Sequence, residues 1–412
     1  MINIEKFELA NGLRVIYHKD ESSPIAVVNV LYNVGSKDED TGKTGFAHLF
    51  EHLMFGGSGN IPDFDTPLQQ VGGENNAFTN NDITNYYISL PAQNIETALW
   101  LESDRMLSLD FSQQKLDIQR NVVIEEYKER YLNQPYGDVW LYLREMAFPG
   151  HPYAWPTIGK EISHIENANL EDVKSFFYRF YSPNNAIISI SANLDSTYVF
   201  DLIKKWFGDI PRREVYMKPV KEMGIKNNQT VLELKKDVPY DALYMVFNMC
   251  GRNNKEFYAV DLLSDILSNG RSSRLYQNLL MKGEHFVELD AYLSGDIYSG
   301  LFVINALIKE GVDIKDAEKV IWEEIKKLID NGISDYEMQK VKNKFISTKV
   351  FSEISAPTKV FLLAMHELTA KAEDINKEME EYEKVTANEI VAAAQKILNP
   401  GNSSVLYYLA EK

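Results

Sequence analysis

The sequence is almost without cysteine. Cys250 stands alone among 412 residues, which excludes an internal disulfide and any zinc site built from paired cysteines. It reads as a small apolar strand residue. Histidine is scarce too, with seven in all, so a site built from it must draw on few positions. Positive charge is in deficit: 43 Lys and Arg stand against 60 Asp and Glu, a net charge of −17. That balance argues against nucleic acid as a partner, because phosphates are held by Lys and Arg. It would favour basic peptides only if the acid lines an interior. No apolar run approaches the roughly 20 residues of a membrane-spanning helix, so no membrane is implied. The opening residues, Met1-Ile2-Asn3-Ile4-Glu5-Lys6, lack a basic stretch followed by an apolar one, so no signal peptide is visible. The expected location is the cytoplasm, or the periplasm if an export signal has been removed.

What is present is ample material for a core. Hydrophobic residues make up 45% and aromatic residues 12% of the chain, enough at this length for two or more domains. Phe7–Tyr17 reads as a hairpin about Asn11-Gly12. Ile25–Tyr32 reads as a central strand buried on most of both faces, and residues 75–79 and 84–91 as a second hairpin. Helices are expected near 93–108, 113–132, 136–147, 169–181 and 196–207, with a strand at Ala186–Ala192. The stretch 208–228, with Pro211 and Pro219 and no periodicity, reads as a linker.

Beyond the linker the order starts again. Ser23-Pro24-Ile25 before the first central strand is echoed by Val238-Pro239-Tyr240, and Ser182-Pro183-Asn184 is echoed by Asn399-Pro400-Gly401. Two copies of an α+β unit are therefore expected: 1–210, a linker at 211–228, and 229–412.

The densest chemistry lies in Gly45-Phe46-Ala47-His48-Leu49-Phe50-Glu51-His52-Leu53-Met54-Phe55-Gly56-Gly57. This reads as one helix from Phe46 to Phe55, closed by a glycine pair. One turn apart, His48 and His52 project from the same face and can hold one metal ion. Glu51 stands where it can reach a water beside that metal and take its proton. Burying three ionisable groups on so apolar a helix is costly unless something compensates. The repeat offers an internal control: the corresponding segment, Val260–Gly270, keeps the helix and the terminal Gly but has no histidine. The fold therefore does not need His48 and His52. A third protein ligand is required. His18, His164, His285 and His366 sit in sequence contexts with no companion donors and His151 sits in a turn, so the carboxylates Glu125, Glu126 and Glu129 of the helix after Gln113 are better placed.

His48-Leu49-Phe50-Glu51-His52 is the inverted zinc-peptidase order, and the chain resembles the M16 metallopeptidases, the group of pitrilysin, insulin-degrading enzyme and the mitochondrial processing peptidase. The resemblance implies two similar α/β sandwiches, each a mostly antiparallel sheet with helices packed on one face. It implies one Zn²⁺ per chain held by His48, His52 and the Glu that closes the Val-Ile stretch, which matches Glu126, with Glu125 and Glu129 as rivals. Glu51 is then the general base. Where the family usually has Glu before Arg120, this chain has Gln119, which can still hydrogen-bond behind the ligands. Asn75–Thr79 resembles the substrate-binding edge strand, with Asn76, Ala77, Phe78 and Thr79 at the matching places. Such an edge pairs with an extended peptide by strand addition. His151–Gly159 resembles a further family segment, a rigid loop near the site.

A departure is larger. Self-sufficient members carry an Arg and a Tyr in the second half that grip the substrate; the matching places here hold Leu280 and Val287, after Gly270-Arg271-Ser272-Ser273-Arg274-Leu275-Tyr276. The resemblance then implies the metal-bearing half of a heterodimer with a related subunit that carries the pair. A homodimer drawing on Arg271, Arg274 or Tyr276 is the alternative. Two other classes stay open: a non-catalytic scaffold on the same fold, and a metallohydrolase acting on a small substrate.

Overall fold

A computed structural model describes residues 1–411. The chain forms two compact units, and neither is a simple half of the sequence. The first comprises Met1–Lys128, Trp155–Pro219 and Lys349–Glu378; the second comprises Glu129–Ala154, Val220–Thr348 and the residues from Met379 onward. The expected division is 1–210, a linker and 229–412; each unit here also takes in a segment from the other half of the sequence.

The first unit is built on a six-stranded sheet. Its strands are β1 (Glu5–Glu8), β2 (Arg14–Lys19), β3 (Ile25–Tyr32), β4 (Glu74–Thr79), β5 (Thr84–Pro91) and β6 (Ala186–Ala192). Their order is β1-β2-β6-β3-β5-β4, all antiparallel except β2 with β6. The β1–β2 connection turns at Gly12, whose φ of 87° is open to glycine without strain. β3 is buried at every position after Ile25, and a strand so apolar needs cover on both faces. On one face Tyr32 packs against Tyr86 and Tyr181, with ring centroids at 6.0 and 4.8 Å. On the other, Leu31 joins Ile16 and Ile187 in a cluster closed by Leu363, Ala364, Ala372 and Ile375. That second cover is the helix Ala356–Thr369, from far along the sequence. A buried polar chain fixes it: Asn85 donates to Asn29 (2.8 Å), Asn29 to Ser189 (3.3 Å), and the Ser189 hydroxyl to the Val360 carbonyl (2.7 Å).

The second unit repeats the plan on five strands: β7 (Thr230–Lys236), β8 (Ala242–Cys250), β9 (Phe286–Ser294), β10 (Ser299–Ile308) and β11 (Ser403–Ala410). The order β7-β11-β8-β10-β9, with β7 and β11 parallel, matches β2-β6-β3-β5-β4 strand for strand. The helix Glu256–Ser268 occupies the place of Phe46–Leu53, each lying between the central strand and the far edge strand. One face of this sheet carries helices of its own half, through Leu263, Ile321, Ile390 and their neighbours. The other is closed by Val139, Leu143 and Ala147 of the helix Val139–Ala147. In each unit the resident helices cover one face, as the resemblance implies, and a single exchanged helix covers the second. No helix among the described residues is long and apolar enough to cross a membrane.

Leu363 is fully buried, whereas Phe351 is 70% exposed. Leu363→Ala is expected to cost about 2–5 kcal/mol in denaturant unfolding, through lost burial and a residual cavity. Phe351→Ala is expected to stay within about 0.5 kcal/mol. Equal small effects would show that the exchanged helix contributes little to the first unit.

Candidate metal centre

The sequence makes the helix Phe46–Leu53 by placing Phe46, Ala47, Leu49, Phe50 and Leu53 on its buried side. The Phe50 ring is held by Phe176 at 4.9 Å and Tyr181 at 5.2 Å. This fixes the rotation of the helix and turns His48 and His52 to the remaining face, their rings 4.8 Å apart and nearly perpendicular. The helix ends slightly earlier than expected, at Leu53; Gly57, with φ of 103°, redirects the chain.

Its first turn has no acidic residue of its own and no side-chain cap. Glu39 supplies one from outside. Its two carboxylate oxygens accept from Gly45 N and Ala47 N, both at 2.9 Å, and from the Trp155 indole at 2.9 Å. A carboxylate there meets otherwise unsatisfied amides at the positive end of the helix dipole. Burial nevertheless pushes the Glu39 carboxyl up to about 8, opposed by the two amides and the indole.

The third group arrives on the helix Gln113–Tyr127, which starts at a Ser112 cap and loosens after Tyr127 into a π turn. Leu116, Val123, Ile124 and Tyr127 are its buried positions, and Arg120 ties it to the Glu166 and Ala168 carbonyls at 3.0 and 2.9 Å. Glu126 lies 3.7 Å from His48 Nε2 and 3.4 Å from His52 Nε2. These are the residues that the structure brings together, with one donor atom from each lying within 4.8 Å of the others. Their side chains are 12%, 24% and 18% exposed for His48, His52 and Glu126. Glu125 instead pairs with Lys128 at 2.7 Å, and Glu129 is exposed on the π turn. Gln119 lies on the same helix, half-buried, about two turns before Glu126.

Two imidazoles and a carboxylate are a donor set that Zn²⁺ accepts. Tetrahedral bonds of about 2.0–2.1 Å set neighbouring donors about 3.3–3.4 Å apart, close to the observed 3.4 and 3.7 Å. The residues therefore fit a zinc ion, and three protein donors leave a fourth position open.

Around this group lie residues that the sequence alone did not single out. Burial raises the phenols of Tyr86 and Tyr181, and the Glu51 charge acts on both in the same direction. Arg105 is buried, ion-paired with Glu102, and stacked over Tyr86, Phe64 and Phe55 at 4.3, 4.6 and 5.4 Å. The signal available was the charged run Glu102-Ser103-Asp104-Arg105 inside an apolar helix. For Glu39 no local signal exists, since it stands in a polar loop.

The other expected site residues fall in different places. β4 lies at a sheet edge. Ala77 pairs with Tyr86, on the face that packs Tyr32 and Tyr181. Phe78 lies on the opposite face, 5.1 Å from the Phe361 ring. Thr79 shares the face of Ala77 and Asn76 that of Phe78 by alternation, and the Asn76 side chain accepts from Ala77 N at 2.8 Å. In the second unit Leu280 packs against the core and Val287 is 43% exposed. Arg274 is engaged by Glu337 at 2.7 Å and by the Gly332 carbonyl at 2.8 Å.

The Glu39 shift has a measurable consequence. A carboxyl raised to about 8 from 4.5 keeps a proton in the folded metal-free protein that the unfolded chain has lost. Its contribution to stability is full below the lower value and is lost as pH rises through the upper one. Metal-free wild type should therefore lose stability over this interval relative to Glu39→Gln, which cannot titrate. Parallel stability–pH curves would show that Glu39 titrates normally.

Residues 14–160 match the model described as "Insulinase (Peptidase family M16)", and residues 167–345 match "Peptidase M16 inactive domain". A zinc protease, PqqE, of Helicobacter pylori is 31% identical over 347 residues, covering 82% of this chain and 77% of that protein. A crystal structure of a protease from Helicobacter pylori superposes with a TM-score of 0.94 at 26% identity, over 99% of this chain and 100% of the other. A peptidase M16 inactive domain from Pseudomonas fluorescens shares the fold, with a TM-score of 0.89 at 17% identity over 100% and 99% of the two chains. Two sheets of one topology, a donor group that among the described residues lies in the first unit, and these matches together establish that the chain belongs to the M16 peptidase family.

Proposed function

We propose that this chain is a zinc-dependent endopeptidase subunit that cleaves extended, unstructured peptides. The observation that carries the reading is the approach of Glu126 to both His48 and His52, with Glu51 on the same helix. His48, His52 and Glu126 hold the metal. A bound Zn²⁺ supplies a Lewis acid that polarises the scissile carbonyl and acidifies water. Glu51 takes the proton of the attacking water and passes it to the leaving amine. β4 presents its free edge to the peptide backbone, so that recognition rests on main-chain hydrogen bonds and asks little of the substrate's side chains. Ala77 and Thr79 lie on the inner face of that edge, Asn76 and Phe78 on the outer.

The scaffold reading gains nothing from the match called inactive. That match covers 167–345, whereas His48, Glu51, His52 and Glu126 all lie in the other, 14–160. The second unit also favours a partner over self-sufficiency. Leu280 and Val287 offer no side-chain donor, and Arg274 is held by Glu337, whose carboxyl it helps to keep low, at about 2. We therefore assign this chain the metal-bearing half of a heterodimer with a related subunit that supplies an Arg and a Tyr. A homodimer is the weaker option.

Glu51→Gln is expected to keep one zinc per chain while peptide cleavage falls about 10²–10⁴-fold, the usual worth of a general base. Glu126→Gln should lose zinc in metal analysis. Near-normal turnover of the first variant, or full metal content in the second, would remove the assigned role. Extended peptides should be cut and stable folded domains spared.

The partner is tested by rate. Losing one oxyanion donor costs about 10²–10³-fold, so the isolated chain should be weak on peptides until the related subunit is added. Full activity alone, unaltered by that subunit, would overturn the heterodimer.

A further inference from the structure

The loop around Trp155–Lys160 has no part in the chemistry above, yet it touches both helices that carry the donor group. Trp155 donates through its indole to Glu39 (2.9 Å) and to the Ser36 carbonyl (3.2 Å). Glu39 in turn binds Gly45 N and Ala47 N, the amides just ahead of His48. The loop also crosses the start of that helix backbone to backbone. A Cβ on Gly45 would stand 2.6 Å from the Ile158 carbonyl oxygen, and one on Gly159 would stand 2.9 Å from the Thr44 carbonyl oxygen. Both glycines have positive φ, 91° and 106°, so a side chain at either would be strained as well as crowded.

Lys160 completes the link. Its N–H donates to the Thr44 hydroxyl at 2.8 Å, beside the start of the helix Phe46–Leu53. Its carbonyl accepts from the Tyr127 hydroxyl at 3.0 Å. Tyr127 is buried and adjoins Glu126 on the helix Gln113–Tyr127. One residue of the loop thus bonds the approach to His48 and the neighbour of Glu126, and both contacts use its backbone.

We propose that Trp155–Lys160 is a strap that sets the distance between the two ligand-bearing helices, with Glu39, Trp155 and Tyr127 as positioning residues for the metal centre. The inference rests on the zinc reading of His48, His52 and Glu126. Partners behind metal ligands commonly tune affinity by about 10–100-fold, because a misplaced donor loses bond strength long before a fold is lost.

The test uses the full chain stripped of metal. Zinc affinity is read by competition with a chromogenic chelator, coordination geometry by the visible absorption of the Co²⁺-substituted protein, and fold by the thermal midpoint of the metal-free form. Tyr127→Phe, which removes only one hydroxyl, should weaken zinc binding about 10-fold or more, alter the Co²⁺ spectrum, and leave the metal-free midpoint close to that of wild type. Trp155→Phe should act in the same direction. Affinity within twofold of wild type and an identical Co²⁺ spectrum for Tyr127→Phe would overturn the strap while leaving the zinc reading intact. So would a loss of affinity that merely tracks a fall in the metal-free midpoint. Failure of wild type to bind Zn²⁺ at all would instead remove the reading on which the strap rests.

Discussion

The meeting of one carboxylate with two imidazoles depends on how two helices are held against each other. A helix advances about 1.5 Å per residue, whereas ligand distances at a metal site hold to about 0.2 Å. Nothing inside either helix can meet that tolerance. The helix Phe46–Leu53 is fixed in rotation by the stack of Phe50 on Phe176 and Tyr181. The helix Gln113–Tyr127 is fixed along its axis by Arg120, which reaches two backbone carbonyls. Between them run the contacts of Glu39, Trp155, Lys160 and Tyr127. Electrostatics and packing act together here. Glu39 compensates the amides of the helix start, and the aromatic layer beneath excludes slippage.

The duplication shows which features belong to the fold and which to the chemistry. The two sheets share one strand order and one parallel pair. The helix Glu256–Ser268 sits where Phe46–Leu53 does and buries an apolar face as well, with Phe257, Val260, Leu263 and Leu267. It carries no histidine. A histidine pair on the first copy is therefore an addition to a helix that already packs without it. The second copy keeps the architecture and turns Arg274 to a structural ion pair with Glu337.

The exchanged segments answer a packing problem. β3 and β8 are apolar along nearly their whole length, so a sheet with helices on one face alone would leave the other in water, at about 25 cal/mol per Å² of apolar surface. Ala356–Thr369 closes that face in the first unit and Val139–Ala147 closes it in the second. The chain thereby binds each unit's stability to a segment encoded in the other half.

The sequence alone determined the parts that local physics controls. Turn chemistry at Asn11-Gly12, the two-sided apolarity of Ile25–Tyr32 and the helical period through His48 and His52 each act over a few residues, and each reads directly. The echo of Ser182-Pro183-Asn184 in Asn399-Pro400-Gly401 exposed the duplication because the same turn precedes the same strand. What tertiary structure decided is whatever joins distant residues. By residue type alone Glu125, Glu126 and Glu129 are rivals, and only the resemblance singles out Glu126; the packing of their helix is what turns Glu126 to the imidazoles and leaves Glu125 with Lys128. Glu39 looks like one acid in a polar loop until burial and three donors give it a role. Of the two exchanged helices, 136–147 was legible as a helix and Ala356–Thr369 was not singled out; the destination of neither was legible, because an apolar stripe states that it needs a partner surface and says nothing of which one.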